Sequence, residues 1–536
     1  MNNFDKNFHM NFSPFYVIVS VLFLMFIANK VSADESEHVE EIVIVAEQSQ
    51  TIKINPATSS RIISSIVPAF TYQAGGYGGF VGYNVSGAQT IHTTVYVNGI
   101  PSNDPGNGWY DFGHDLSDGQ TIKVISGSNG VVYGSGSVAS TVLIEDTITP
   151  GMLFRQGDQQ FISVAPNDKF QVSYFDGDQG SVRNDNDEID SYKNFSTKST
   201  LTVGEFTVDS KFTDYTYDYD NCYTSSFTQS NNCVQEGKRV NISVRNDNFT
   251  LGRSETTSKY FTEGIESTLN KGSRDYFRYI NTEQLSLYSS ITYGLDYSSE
   301  KYNIHNQEDF GAFVSTNVTI NGIDYNFGIR QGNDNQNALR VGVQKGLFYI
   351  NGGTSYRKPN LYEVNGDGWV NPNLNLASEE GEGYEIGYGT LGFFQYKFAE
   401  TIDYDFINSV YYNAGAYTTQ GAKYNQALGP FSLSLIYTDT EQPRVPKYQA
   451  ALNFRKDITP NINFRAKYTI NNDRAPSLYD GNTLEDLEKL NFYITGQWNK
   501  IQVSFKLENV LNEQVEILPG YDNEGREMYL TIQYNW

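Results

Sequence analysis

The chain has two cysteines, Cys222 and Cys233, in a stretch rich in Tyr, Asn and Ser, and five histidines scattered at positions 9, 38, 92, 114 and 305. No histidine lies close to the pair in sequence, so a zinc site there would lack its remaining ligands. In an exported chain an isolated pair reads as one disulfide closing a hairpin-like loop, with two free thiols as the alternative. Beside it, Asp214, Asp218 and Asp220 offer the hard oxygens that Ca²⁺ takes. Their spacing is short and no full ligand set is visible, so a solvated acidic loop is the plainer reading, as it is for the run Asn184 to Asp190. Near the N-terminus, Glu40-Glu41-Ile42-Val43-Ile44-Val45-Ala46 places Ile and Val behind acidic residues. Such a run can add as a strand to the sheet edge of a partner, main-chain bonds supplying affinity and alternate side chains selectivity, or it can be an ordinary first strand. No nucleophile elbow, HExxH run or phosphate-binding Gly-Lys motif is present, so nothing here points to an enzyme.

The elements that must position these groups are β-strands. The 536 residues include 40 Tyr, 33 Phe, 4 Trp and 47 Gly, and Tyr alone outnumbers the 38 Lys and Arg. A mean hydropathy of -0.47 excludes a helical membrane bundle, and the aromatic content argues against disorder. The net charge of -24 argues against nucleic acid as the main partner. Export is read from Lys6, the apolar stretch Phe15 to Ala28, and the small-residue site Val31-Ser32-Ala33, which predicts a signal peptide over 1–33 and a mature chain from Asp34. That apolar core of about 14 residues is shorter than the roughly 18 to 20 a membrane helix needs.

From about residue 150 onward, period-two alternation recurs. Leu285, Leu287, Ser289, Ile291, Tyr293, Leu295 and Tyr297 alternate with polar neighbours, and so do Phe431 to Tyr437. Ile462 to Ile470 face away from Arg465 and Lys467, and Ile501 to Leu507 from Gln502, Lys506 and Glu508. Alternation also suits a soluble sandwich. Alternating long and short connectors suit a membrane barrel better, and so does the ending Met528, Leu530, Ile532, Tyr534, Trp536. Tyr at strand ends would then form interfacial girdles. Residues 34–150 differ, being richer in Gly with short β-like runs such as Thr93 to Val97 and Thr121 to Ile125.

Several ordered segments resemble the TonB-dependent outer-membrane transporters. Glu41, Ile42, Val43, Ile44, Val45 and Ala46 are similar to the TonB box. Val95 to Pro105 and Ile122 to Val138 are similar to the strand-turn and closing segments of the plug. Ser355-Tyr356-Arg357-Lys358-Pro359-Asn360-Leu361 with Tyr384 to Gly387, and Leu507 to Asn512 with Gly520-Tyr521 and Gly525-Arg526, resemble barrel segments in the family's order. Ser126 and Ser86 stand where the family usually has arginines that anchor plug to barrel.

The resemblance implies an all-β membrane protein: a 22-stranded antiparallel outer-membrane β-barrel over 151–536 with an N-terminal α/β plug domain over 51–150 inside the lumen, preceded by a periplasmic segment over 34–50. It implies TonB, with its inner-membrane energising complex, as partner, outer-membrane lipid as surroundings, a monomer, and no cofactor beyond calcium in extracellular loops. A passive pore would need neither box nor plug, and a secreted enzyme no terminal aromatic strand. The cargo is expected to be cobalamin or a related corrinoid, which Gly353 to Leu361 and Gly520 to Arg526 resemble most, with a ferric siderophore as the alternative. By the same resemblance the ligand is touched by apical plug loops, here Tyr72, Gln73, Gly75, Gly76 and Tyr77, and Asn103, Asp104, Asn107, Trp109 and Tyr110. Both could instead be plain turns.

Overall fold

The computed structural model describes residues 49–54, 69–73, 77–114, 119–157, 159–180, 189–333, 336–474, 484–518 and 520–536. All lie in one compact unit, Val43–Trp536. The signal peptide and the TonB box at 41–46 lie outside the described residues.

Twenty-two antiparallel strands, from Gly151–Gly157 to Glu527–Asn535, close into a barrel, each pairing with its sequence neighbour and the last with the first. Closure runs from Tyr529 opposite Gly157 to Asn535 opposite Gly151, so no sheet edge is left to hydrogen-bond in lipid. Tight turns, such as Val203 to Phe206 and Leu428 to Phe431, alternate with longer connections, such as Arg357 to Glu379 and Glu508 to Glu527. In outer-membrane barrels the tight turns are periplasmic and the long loops extracellular.

The period of two sorts each strand into a lipid face and a lumen face. Met528, Leu530, Ile532, Tyr534 and Trp536 point outward, at 40% to 55% exposure, while Tyr529 and Thr531 between them are buried inside. Phe431, Phe454, Phe464 and Phe492 make an outer stripe near the tight turns, with ring centroids 5.0, 6.2 and 5.9 Å apart. Two expectations need correction. The alternation from 285 to 297 is not one strand, because a turn joins Ile265–Ser286 to Ser289–Tyr302 and leaves Leu287 exposed; a two-residue turn hardly disturbs the pattern. Nor are girdles the whole account of the tyrosines: Tyr325, Tyr388, Tyr437, Tyr448 and Tyr534 are exposed, while Tyr192, Tyr215, Tyr217, Tyr276, Tyr349, Tyr396, Tyr417 and Tyr529 are buried on the lumen side. Their phenol carries enough apolar surface to pack and a hydroxyl to satisfy a polar lumen.

Inside the barrel, β1 (Ser49–Ile54), β6 (Gln120–Ser126), β7 (Ser140–Asp146), β4 (Thr93–Val97) and β5 (Ile100–Pro101) form a mixed sheet in that order, with β4 and β7 parallel. β2 (Ala69–Gln73) and β3 (Val81–Val85) make a separate hairpin. Asn98 and Gly99, with φ of 49° and 83°, give the two left-handed positions that let β4 reverse into β5. Tyr83, Val85, Val95, Val97, Phe112, Ile122, Val124, Val142 and Ile144 pack as the plug core.

Candidate functional site

The plug meets the barrel through polar groups, and the charges are unevenly divided. Between positions 62 and 150 there is no arginine and one lysine, Lys123. The barrel supplies the cations. Lys198 Nζ lies 3.0 Å and Lys211 Nζ 3.7 Å from Asp146, and Arg245 lies 2.8 Å from Glu145. Arg274 donates to the carbonyls of Pro101 and Asn103, Arg278 to that of Val132, and Arg340 to Asn129 Oδ1. The cationic anchors of this interface thus come from the barrel side.

One plug histidine faces the barrel wall. His92 Nε2 sits 2.7 Å from Glu379 Oε2, with its ring stacked on Phe398 at 4.5 Å. Glu379 also accepts from Arg357 Nε at 2.7 Å, and Arg357 grips both oxygens of Glu363, at 2.9 and 3.1 Å. Glu363 belongs to the short helix Leu361–Asn365, where it forms a reciprocal capping box with Asn360. The helix rests on the plug: the amides of Leu361 and Tyr362 donate to the carbonyls of Pro105 and Gly106 at 3.3 and 3.2 Å. A chain of contacts therefore links an extracellular loop, the barrel wall and the plug. Between plug and wall, a polar cavity of about 110 Å³ is lined by Arg274, Arg330, Asp296, Glu300 and Asp309 among others.

The two plug loops fare differently. Tyr72 and Gln73 end β2, while Gly75 and Gly76 lie outside the described residues. Tyr77 is a buried anchor: its hydroxyl bonds Glu527, accepts from Gln159 at 2.8 Å and lies 3.3 Å from Tyr529. At Gly78 a Cβ would fall 2.5 Å from the Tyr192 ring, and φ is +79°, so only glycine fits. Asn103 is also buried, accepting from the Val95 amide at 2.7 Å and donating to the Thr93 and Gly108 carbonyls. Tyr110 is buried against Phe112 with Arg239 over its ring. Tyr77 and Tyr110 thus tie the plug to the barrel wall, and Asn103 braces the plug loop from within. Asp104, Asn107 and Trp109 are half-buried. Asp104 caps the turn by accepting from the Gly106 and Asn107 amides, Asn107 accepts from the Trp109 amide, and Trp109 lies 5.0 Å from Phe80.

Above Asp104 opens a mouth that sequence reasoning missed. Gly106 lies against the ring of Tyr302. From there Tyr302, Tyr362, Tyr411 and Tyr404 follow at centroid spacings of 6.4, 6.0 and 5.1 Å, and on the other side Tyr219 and Tyr260 lie 6.2 Å apart. Higher still, Phe227 and Trp369 from two different loops meet at 5.5 Å. A period-two pattern assigns strand-end tyrosines to either face, so only the closed register reveals these. Cys222 and Cys233 are joined as a disulfide with Cα atoms 6.0 Å apart, and this ties the base of the loop carrying Phe227. Asp214, Asp218 and Asp220 do not converge. Asp214 pairs with Lys238 at 3.4 Å, Asp218 accepts from the Ser191 hydroxyl at 2.7 Å, and Asp220 is buried. Among the described residues no three His, Cys, Asp or Glu are grouped to hold a metal ion.

The TonB-dependent Receptor Plug Domain family matches residues 37–141. No curated protein matches the chain by sequence. Similar solved structures include the siderophore receptor PiuA from Acinetobacter baumannii, 13% identical with a TM-score of 0.69, covering 94% of this chain and 99% of that one. The siderophore receptor PirA from the same organism is 13% identical with a TM-score of 0.66, covering 91% and 98%. The ferric enterobactin receptor from Pseudomonas aeruginosa in complex with enterobactin is 13% identical with a TM-score of 0.68, covering 91% and 99%. At that identity the likeness establishes the fold, and the match at 37–141 names the domain inside it. Residues 37–141 match the TonB-dependent receptor plug domain family, and the chain is a 22-stranded outer-membrane β-barrel with that domain inside it.

Proposed function

We propose that this protein imports a large iron chelate, a ferric siderophore, across the outer membrane by TonB-driven displacement of its plug. The observation that carries the reading is the plug itself, which fills a barrel wide enough to be a channel and is held there by ion pairs and hydrogen bonds that can be broken one at a time. Three solved structures of the same fold are described as receptors for siderophores or ferric enterobactin, which favours iron over the corrinoid. The corrinoid reading keeps the support of Gly353 to Leu361 and Gly520 to Arg526. Several of those residues now have architectural roles, Arg357 as the clamp on Glu363 and Glu379 and Arg526 on the Val510 carbonyl, so they say less about cargo than their resemblance implied.

In this mechanism the ligand settles on Asp104, Asn107, Trp109 and the tyrosines around them, TonB pairs with residues 41–46 as an added strand, and force on the plug opens a path. No covalent bond in the cargo is made or broken. The test is Val43→Pro, which deletes a main-chain N-H that strand pairing needs. Uptake of radiolabelled ferric siderophore should be abolished while binding by the purified protein is retained. Undiminished uptake would refute the box, and uptake of cobalamin alone would restore the corrinoid.

A further inference from the structure

The mouth above the plug carries a charge that bears on its cargo. Asp104 takes its hydrogen bonds from the Gly106 and Asn107 amides and the Thr256 hydroxyl. Asp367 takes its own from the Trp369 and Val370 amides at 3.0 Å each and from the Tyr362 hydroxyl at 3.2 Å. Every one of these donors is uncharged, and neither carboxylate has an ion-pair partner among the described residues. The charged groups that act on the tyrosine hydroxyls are carboxylates as well: Asp104 and Asp367 at Tyr302, Asp367 at Tyr362, and Glu363, Asp367 and Asp403 at Tyr411.

The cations of the same quadrant are engaged below. Arg274 is 2.6 Å from Glu300, Arg330 is 2.5 Å from Asp296, Lys358 is 2.6 Å from Asp309, and Arg357 is clamped between Glu363 and Glu379. What faces the opening is the pair of half-buried rings of Tyr362 and Tyr411, whose faces attract cations, with the carboxylates of Asp104 at the floor and Asp367 at the rim. Walls of low dielectric focus that field into the opening.

Resting on the import reading above, we propose that this mouth selects large chelates that are neutral or positively charged, seating them on the faces of Tyr362 and Tyr411, and that it rejects polyanionic chelates such as ferric tricatecholates. Its specificity then differs in sign from that of a receptor for a trianion, although the barrel is the same. Rejection comes from like-charge repulsion and needs no steric block.

The experiment is equilibrium binding to the detergent-purified mature chain, read by fluorescence quenching. Four probes are compared: ferrioxamine B, which is cationic, ferrichrome and cyanocobalamin, which are neutral, and ferric enterobactin, which is a trianion. A neutral or cationic probe should bind at least about a hundredfold more tightly than the trianion. The double variant Asp104→Asn/Asp367→Asn keeps an acceptor oxygen at each turn and removes both charges. It should weaken the cationic probe by about tenfold, the order expected for unit charges about 12 Å apart at an effective dielectric of about 20, leave the neutral ones unchanged and strengthen the trianion. Tightest binding by the trianion, an unchanged cation-to-trianion ratio in the double variant, or binding of none of the four overturns the inference. The import reading is judged separately, by cross-linking the wild-type and Val43→Pro chains to TonB, which needs no knowledge of the cargo.

Discussion

The two sides of the plug-barrel interface solve opposite problems. The barrel wall must be polar inside and apolar outside, so its strands alternate and carry inward arginines and lysines such as Arg274, Arg278, Arg330 and Arg340. The plug must fold into a small sheet with an apolar core and still leave the barrel when pulled. It offers mainly backbone carbonyls, amides and the carboxylates of Asp111, Glu145 and Asp146. Placing the cations on the fixed wall keeps them solvated or paired there whether or not the plug is present. A dry apolar seam would have bound more tightly and released less readily, because it lacks bonds that water can replace singly.

That contrast can be broken most severely at Arg357. Arg357→Met leaves the buried carboxylates of Glu363 and Glu379 without their shared partner, and removing one member of a buried ion pair costs about 3–5 kcal/mol. Hydrogen exchange should then speed up in the helix Leu361–Asn365 and in the plug loop beneath it, while exchange in the distant strands is unchanged. At Gly78, Ala forces a Cβ toward Tyr192 in a left-handed backbone, and a loss of about 1–3 kcal/mol is expected. Limited proteolysis of the plug reads that loss. Lys198→Met leaves Asp146 with Lys211 and the amides of Asn98 and Gln120. It should cost about 1–3 kcal/mol, and less than Asp146→Leu, which takes the shared carboxylate from both lysines.

The smallest effect is a pH dependence. His114 is buried in the plug, stacked on Tyr215 at 3.5 Å. Burial, with Arg239 adding repulsion, pushes its imidazole well below the ordinary value. The folded plug keeps it neutral while the unfolded chain takes up a proton below about pH 6.5. This contribution is therefore present above that pH and is lost as pH falls toward the depressed value. Plug exchange protection should decline from pH 7 to 5, and His114→Gln should flatten that decline.

Strand alternation and the terminal run Met528 to Trp536 were legible because a lipid face demands apolar side chains at every second position. The Asn98-Gly99 turn was legible because left-handed backbone narrows the choice of residue. The plug loops were half legible. Gly, amide and aromatic residues mark an irregular loop, but whether a Tyr or Asn there meets solvent depends on what packs behind it: Tyr77 and Tyr110 are each engaged by barrel residues distant in sequence, and Asn103 by the neighbouring strand Thr93–Val97.

By itself the sequence determined the β periodicity, the division into a glycine-rich N-terminal region and an alternating barrel, and the absence of plug arginines, since each is a local property of residue type and order. Only the tertiary structure decided which wall supplies the missing cations, that Tyr302, Tyr362 and Tyr411 gather over Asp104, and that the three loop aspartates stay apart. Those depend on the register of 22 strands around a closed ring, where residues hundreds of positions apart become neighbours and a shift of one residue would turn each inward side chain out to lipid.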